Sequence, residues 1–132
     1  SLYPLYYSPE ERFDALSQWA VDILVSSGVT RVFLEGYAYG TSKGVVFEIG
    51  ENTGVLKHKL MKAGISFEVF APSEIKKHAT GLGNSNKMAM ELAFRNKTGI
   101  DLSEWIGSQR TDKKIPSPAN DMIDAYWIWD LG

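Results

Sequence analysis

The chain has 132 residues, a length that supports one domain with one sizeable core and is short for two. It contains no cysteine, which excludes a disulfide framework and a thiolate metal site and fits a reducing cytoplasm. No apolar run reaches the about 18 residues that a membrane span needs, and no signal peptide is visible. The net charge of −2 means that any binding of nucleic acid depends on local basic patches.

The first predicted element is a helix over residues 8–27. Ser8 is suited to the N-cap, Pro9 to the first helical position and Glu11 to a capping box, and Gly28 ends the helix. The apolar residues at helical spacing predict one buried stripe. Its members are Phe13, Leu16, Trp19, Ala20 and Ile23.

A strand, a helix and a second strand follow. The run Val32–Leu34 is typical of a strand buried on both faces. A helix over residues 43–63 and the strand "ISFEVFAP" complete a right-handed βαβ unit with parallel pairing. Gly44, Gly50 and Gly54 are unfavourable inside that helix, and either a close approach to another backbone or a mobile helix explains them.

The second half of the chain is predicted to be mainly helical. We expect a short helix over 72–78, a loop at "TGLGNSN" and an amphipathic helix over 85–97. The polar segment "SEWIGSQRTDKKIPS" is broken by glycine and proline and is predicted to be a surface connection. A last helix begins at Ser117–Pro118.

Three carboxylates are candidate metal ligands. Glu35 ends an apolar strand, where ligands of parallel sheets bind. Asp121 and Asp124 are spaced i, i+3 on one face of the last helix, among apolar and aromatic residues. Oxygen ligands without a His or Cys cluster favour Mg²⁺, with Mn²⁺ as a substitute, and two such ions are the usual device for phosphodiester cleavage. The alternative is that the acids are solvated and stabilise a helix start.

Two loops are candidate contacts for DNA. "GYAYGTSKG" contains aromatic rings that can stack on bases, and "SEIKKHATGLGNSNK" combines lysines with small residues whose amides can hold phosphates. Each loop also has a simpler interpretation as a solvated surface, and the spacing matches no Walker or Rossmann motif. His58 and His78 are expected to be solvated or to contact phosphate. The candidate DNA-contact residues are Tyr37, Tyr39, Lys43, Lys76, Lys77, Gly81, Gly83, Asn84 and Lys87.

The motifs "FLEGYAYG", "APSEIKKHATGLGNSNK" and "ANDMIDAYWI", in this order, resemble the RuvC-type Holliday-junction resolvases of the ribonuclease H-like superfamily. The resemblance runs from about Ser8 to Ile128. It implies an α/β fold, a ribonuclease H-like mixed sheet flanked by helices, in a single partial nuclease domain over residues 1–132. It also implies that Glu35, Asp121 and Asp124 are three of four acidic metal ligands, in a phage or bacterial protein.

One departure from the family pattern concerns the start of the chain. The family's first ligand is an Asp on the opening strand of a three-strand meander, and this sequence begins almost at the first helix. A fragment of a longer protein and a shortened, inactive relative both explain this, and the missing initial methionine favours a fragment.

The leading hypothesis is therefore a Mg²⁺-dependent, cytoplasmic endonuclease that cleaves branched DNA as a homodimer, because a junction has two-fold symmetry. A monomeric relative that cuts flaps stays open. The alternatives are a non-catalytic module that binds DNA structures and an unrelated α/β domain whose acids only cap helices.

Overall fold

The computed structural model describes residues 5–37, 43–107 and 115–132, and the side chains of residues 43–46 are outside this description. Cα proximity divides the chain into two compact units, called here unit 1 (Ser1–Val69) and unit 2 (Phe70–Gly132). The single-domain assignment stays a prediction. In chain order the elements are α1 (Pro9–Ser26), β1 (Arg31–Glu35), α2 (Lys43–Lys62), β2 (Ser66–Phe70), α3 (Pro72–Thr80), α4 (Lys87–Thr98), α5 (Leu102–Trp105) and α6 (Ala119–Leu131).

Helix α1 begins at the predicted cap. The Ser8 Oγ accepts a hydrogen bond from the Glu11 N–H at 3.1 Å, which satisfies one of the unpaired donors of the first turn. The Glu11 carboxylate accepts from the Tyr7 N–H at 2.7 Å, one residue before the position that a capping box uses. The prediction of the helix start is confirmed, and the box is displaced by one residue.

The buried face of α1 differs from the predicted stripe. Phe13, Ser17 and Val21 are buried, whereas Trp19 is 65% exposed and Ile23 is 46% exposed. Both faces of this helix carry apolar residues, so helical periodicity alone could not choose between them. The choice follows from packing against α2. Within the predicted stripe Phe13 is buried and Ala20 is half-buried, and the prediction is wrong for Leu16, Trp19 and Ile23.

The two strands are neighbours in a two-stranded sheet. The N–H of Ser66, which begins β2, donates to the carbonyl of Thr30, just before β1, at 3.0 Å. Two strands that begin side by side run parallel, and α2 connects them as the predicted crossover. Residues Val32–Leu34 are half-buried rather than buried on both faces, because α1 and α2 cover only one side of β1 in the described chain.

Unit 1 has a small core that α1, α2 and the sheet share. Its buried residues are Val21, Leu60 and Ile65, and partly buried Leu24, Val32, Leu34 and Leu56 pack against them.

Unit 2 has a larger core built by α3, α4 and α6, which pack against one another. Trp127 is only 3% exposed, and its indole N–H donates to the Met90 carbonyl at 3.2 Å, so the one polar atom of the ring is satisfied. The buried members of this core are Ile75, Met90, Phe94, Leu102, Ile115, Ala119, Ile123 and Trp127.

The predicted surface connection is partly wrong. It contains the end of a short helix, α5, whose N-cap Asp101 accepts from the Glu104 N–H at 3.2 Å. Ser103 and Ile115 are each 3% exposed, while Trp105 is 75% exposed. Isolated apolar residues in a polar segment gave no periodic signal, so their anchoring to the core was not predictable. Of the helices that the structure describes, none is long and apolar enough to cross a bilayer.

Candidate functional site

The two aspartates of the predicted site lie on the accessible side of α6. Ala119, Ile123 and Trp127 form the buried face of this helix. Asp121 is exposed, and the Asp124 side chain retains 34% exposure. Both carboxylates therefore avoid the desolvation that a core position would impose. The apolar residues beside them in sequence do not enclose them.

Asp121 is held at the start of α6 by a serine. The Ser117 Oγ donates to its Oδ2 at 2.8 Å, and the negative charge lies in the first helical turn, where the helix dipole stabilises it. This contact fixes the side chain before any ligand binds. A carboxylate that only stabilises the helix start would make this contact, and so would a carboxylate that also binds a metal ion.

Asp124 contacts one of the predicted DNA-contact lysines. The Lys87 Nζ lies 3.5 Å from its Oδ2, and Lys87 is the first residue of α4, directly after the N-cap Asn86. Exposed ion pairs of this kind contribute at most about 1 kcal/mol. A cation therefore already occupies a position beside Asp124 and can be displaced at low energetic cost.

Glu35 is the last residue of β1 and is exposed, as the strand prediction required. It belongs to unit 1, whereas Asp121 and Asp124 belong to unit 2. Among the described residues, no group of three or more His, Asp or Glu side chains could hold a metal ion. The combination of these three carboxylates in one site stays a prediction.

The two glycines of the α3–α4 loop differ in their local roles. Gly81 caps α3 in the left-handed conformation, with φ of 87°, and its N–H donates to the Lys77 carbonyl at 2.8 Å. A Cβ added at Gly83 would lie 3.4 Å from the Ser73 carbonyl oxygen. The left-handed cap accounts for Gly81 without a ligand, whereas a contact of 3.4 Å does not require glycine at position 83. The contact of both residues with DNA stays a prediction.

The polar residues of the same loop are available to a partner. Asn84 and Lys77 are exposed and Lys76 is half-buried. In the described part of the chain, neither lysine forms an ion pair with a carboxylate. Their charges are therefore not neutralised locally, as phosphate binding requires.

The first candidate loop is described only in part. Tyr37 follows β1 and is 36% exposed, and the Lys57 ammonium lies 5.9 Å from its ring centroid. Tyr39 lies outside the described residues. Lys43 begins α2, but its side chain lies outside them as well.

A charged cluster that the sequence did not predict joins three helices of unit 2. The Asp130 Oδ2 contacts the Lys97 Nζ at 2.7 Å and the His78 Nε2 at 2.8 Å. The bond from Lys97, and then that from His78, lowers the pKa of Asp130, and the bond to Asp130 raises the pKa of Lys97. His78 is therefore paired rather than simply solvated, while His58 is exposed.

This cluster lines an open surface pocket of about 450 Å³, to which Trp127 also contributes. The Lys97 Nζ lies 5.5 Å from the ring centroid, and the His78 ring meets it edge-on at 5.9 Å. The three charged residues are distant in sequence and follow no motif. Only the packing of α3, α4 and α6 brings them together.

A buried acid was also missed. Glu91 is 2% exposed on α4, and its Oε1 contacts the Arg95 Nε at 2.5 Å, one helical turn on. The i, i+4 spacing of opposite charges was visible in the sequence, but that spacing normally marks a solvated helix face. Burial at this position follows from the packing of the unit 2 core.

A comparison with family models identifies one family. The family model described as "Crossover junction endodeoxyribonuclease RuvC" matches residues 8–100. No curated protein matches the chain.

Two solved structures of RuvC from Thermus thermophilus have a similar fold. One is described as the RuvC structure, with 17% identity and a TM-score of 0.69. The other is described as RuvC in complex with a Holliday junction substrate, with 16% identity and a TM-score of 0.70. Each match covers 98% of this chain and 72% of the solved chain. The ribonuclease H-like α/β fold that the motifs implied is thereby confirmed.

Proposed function

The chain belongs to the RuvC family of crossover junction endodeoxyribonucleases, and we propose that it contributes the active site of a metal-dependent endonuclease that cleaves phosphodiester bonds in branched DNA. The observation that carries this proposal is the family match over residues 8–100, which includes Glu35 and the lysine-bearing α3–α4 loop. Asp121 and Asp124 lie beyond that range, on an accessible side of α6 within the fold shared with RuvC.

The donor set fits Mg²⁺, with Mn²⁺ as a substitute. Glu35, Asp121 and Asp124 offer only carboxylate oxygens, which hard divalent cations prefer. Both aspartates are accessible, and one of them already has the Lys87 ammonium beside it. Two such ions held by these carboxylates would supply activation of water and stabilisation of the leaving oxygen of a phosphodiester.

The chain's own residues position the DNA. Lys76 and Lys77 bind backbone phosphates with charges that no carboxylate of the described residues neutralises. Lys87 binds a phosphate close to Asp124 and, when it leaves that carboxylate, frees it for a cation. Tyr37, together with Tyr39, stacks on bases at the branch.

We propose a homodimer, because a two-fold symmetric junction requires two active sites. The exposed face of α2 supports this assembly. Phe47 is 71% exposed and Met61 62% exposed, and a Cβ added at Gly50 or Gly54 would contact nothing within 4 Å. A second copy packed on these glycines would explain why the helix tolerates them. We place this assembly in the cytoplasm of a bacterial cell or of a phage-infected host.

The oligomer is tested by light scattering after size-exclusion chromatography. Gly54→Glu is expected to reduce the dimer, because it places a charged side chain on the proposed face. Lys62→Glu, at the end of the same helix, is the matched control. A monomeric parent chain would contradict the proposal.

Activity is tested by cleavage of a four-way junction in Mg²⁺. We expect Asp121→Asn and Asp124→Asn each to reduce the rate by about 100-fold or more, because each change removes a charged metal ligand. Asp22→Asn, at an exposed position of α1, is the control. Unchanged cleavage in both α6 variants would refute the site.

The same assay distinguishes the nuclease from a non-catalytic module. A chain that binds the junction tightly and cleaves nothing at any Mg²⁺ or Mn²⁺ concentration would be a module that binds DNA structures. Equal affinity for a junction and for linear duplex of the same length would contradict both functions.

A further inference from the structure

Three helices of unit 2 meet at one carboxylate. Asp130 lies in the last turn of α6, Lys97 in the last turn of α4 and His78 in the last turn of α3. The Asp130 Oδ2 accepts a hydrogen bond from the Lys97 Nζ at 2.7 Å and another from the His78 Nε2 at 2.8 Å. A single oxygen atom therefore connects the C-terminal ends of these three helices.

The stability of α6 alone does not explain an acid at this position. The C-terminal end of a helix dipole is negative and disfavours a carboxylate, and the last turn of α6 contains no basic residue. Lys97 and His78, in contrast, lie where the dipoles of their own helices favour a cation. Asp130 is therefore compensated by tertiary contacts and not by its own helix.

These contacts add direction to the packing of the three helices. Burial of apolar side chains such as Trp127 resists separation of the helices but is non-directional. A hydrogen bond depends on both distance and angle, and the Asp130 side chain is only 16% exposed. Two bonds to one oxygen therefore limit how far α3 and α4 can turn or slide against α6.

Two of the helices that Asp130 connects carry residues of the proposed site. Helix α3 carries Lys76 and Lys77 directly before His78, and α6 carries Asp121 and Asp124. All of these residues belong to unit 2. Their relative placement therefore does not depend on how the two units are arranged.

We infer that Asp130 is a positioning residue that holds the phosphate-binding lysines of α3 in a fixed place relative to the metal-binding aspartates of α6. It acts through His78 and Lys97 and contacts neither the DNA nor a metal ion. The inference rests on the proposed function and assigns a role to an acid outside the three candidate ligands. Precise placement matters because a displacement of about 1 Å at a reacting group can lower a rate by about 100-fold.

The first experiment separates the rate of cleavage from the affinity for DNA. Single-turnover cleavage of a four-way junction is measured with saturating full chain in Mg²⁺, and Kd is measured in Ca²⁺. Asp130→Ala removes the acceptor, so we expect its rate constant to fall about tenfold and its Kd to change less than about twofold, because the lysines remain. Asp22→Asn, at an exposed position of α1, is the control for both values.

A variant of the DNA-binding lysines should show the opposite division. Lys77→Met is expected to raise the Kd, since it removes a phosphate contact, and to affect the rate constant at saturation less than Asp130→Ala does. A folding defect would differ from both. It lowers the amount of active protein, and so the amplitude of the single turnover, without changing the rate constant of the folded molecules.

Conservative variants test the hydrogen bonds themselves. Asp130→Asn retains an acceptor oxygen, and His78→Gln retains a donor near the position of the imidazole Nε2, so both should keep most of the rate. His78→Leu should lose rate. Combined with Asp130→Ala, it should cost less than the product of the two single losses, because both changes break the same connection.

A second experiment needs no activity. The chain has no cysteine, so the exposed positions Lys77 and Ala125 can be labelled specifically with nitroxides after Lys77→Cys and Ala125→Cys. Double electron–electron resonance then measures the distances between α3 and α6 without DNA or metal. We expect a broader distribution of distances when Asp130→Ala is added.

The outcomes distinguish the inference from the proposed function. If the parent chain cleaves the junction and Asp130→Ala has the rate constant of Asp22→Asn, or loses only amplitude, Asp130 does not position the site and the proposed function stands. An unchanged distribution of label distances would also refute the positioning role. If the parent chain neither binds nor cleaves branched DNA, the proposed function fails and the inference fails with it.

Discussion

Units 1 and 2 treat their apolar surfaces differently. Unit 2 encloses a core of eight buried residues around Trp127. Unit 1 buries three in its main cluster, while Trp19, Val69 and Phe67 remain 65%, 41% and 36% exposed. The comparison teaches that helix-on-helix packing closes a core within a short segment, whereas a two-stranded sheet leaves apolar surface accessible.

Both units contain ion pairs, but one lysine of unit 1 has a different environment. In unit 2, Asp124 and Asp130 each contact a lysine, and the buried Glu91 contacts an arginine. In unit 1, Lys57 faces two rings and no carboxylate of the described chain. Asp124 therefore has a protein cation beside it, whereas the proposed ligand Asp121 is held by a serine hydroxyl and the lysine beside the rings has no carboxylate partner in the described chain.

The largest expected effect tests the unit 2 core. Trp127→Ala removes a buried ring and its hydrogen bond to Met90, and we expect the free energy of unfolding to fall by about 3–5 kcal/mol. Trp129→Ala, at a ring that is 65% exposed, should change it by less than about 1 kcal/mol. Urea denaturation followed by circular dichroism measures both. Equal losses would contradict the assignment of the buried ring.

A smaller effect is expected in the unit 1 core. Leu60 is fully buried, but its partners Leu24 and Leu56 are only partly buried, so the site can relax around a smaller side chain. Leu60→Ala should lower the free energy of unfolding by about 2–3 kcal/mol, near the low end for such changes. Leu16→Ala, at a residue that is 37% exposed, is the control. If Leu60→Ala lowered the free energy of unfolding more than Trp127→Ala does, the expectation that the unit 2 core contributes more to stability would be wrong.

The pairing of Lys87 with Asp124 predicts an effect on cation binding. Lys87→Gln removes the ammonium 3.5 Å from the carboxylate, so the affinity for Mn²⁺ should rise two- to threefold at low salt, as expected for about 0.5 kcal/mol of exposed repulsion. Isothermal titration calorimetry measures the change, with Lys77→Gln as the control. Weaker Mn²⁺ binding in Lys87→Gln would show that the lysine does not compete with the cation.

The smallest expected effect is a pH dependence. The hydrogen bonds from Lys97 and His78 lower the pKa of Asp130 below its ordinary value of 3.8. A carboxyl whose pKa is lower in the folded state contributes stability that is present above the unfolded value and is lost as the pH falls through the folded value. Unfolding of the parent chain between pH 5 and pH 2 should therefore show a steeper loss of stability than that of Asp130→Asn. Parallel curves would exclude this linkage.

The local signals of the sequence were informative where one residue determines one feature. Ser8 and Pro9 mark the start of α1, Pro72 begins α3, and Gly81 ends it. These positions depend on capping and backbone conformation, which act over a few residues. The last helix was predicted to begin at Ser117–Pro118 and begins at Ala119, although no side chain forms a capping hydrogen bond there.

Features that depend on which faces meet were not predictable. Helix α1 has apolar residues on two sides, and only contact with α2 selects Phe13 and Val21 for burial over Trp19. Ser103 is buried in a segment whose polar composition indicated a surface loop. A hydrophobic pattern gives a period, and the neighbouring element decides which phase of that period is buried.

By itself, the sequence indicated the ribonuclease H-like α/β class through its resemblance to a known family, the order of the helices and strands in the described chain except α5, and the three acids and lysine-rich loop that make a nuclease the leading hypothesis. Only the tertiary structure decided which charges meet. It placed Lys87 beside Asp124, joined His78 and Lys97 to Asp130, and brought Lys57 to two rings. The physical reason is that Coulomb and cation–π contacts act over a few ångströms between residues that are distant in sequence, and only packing supplies that proximity.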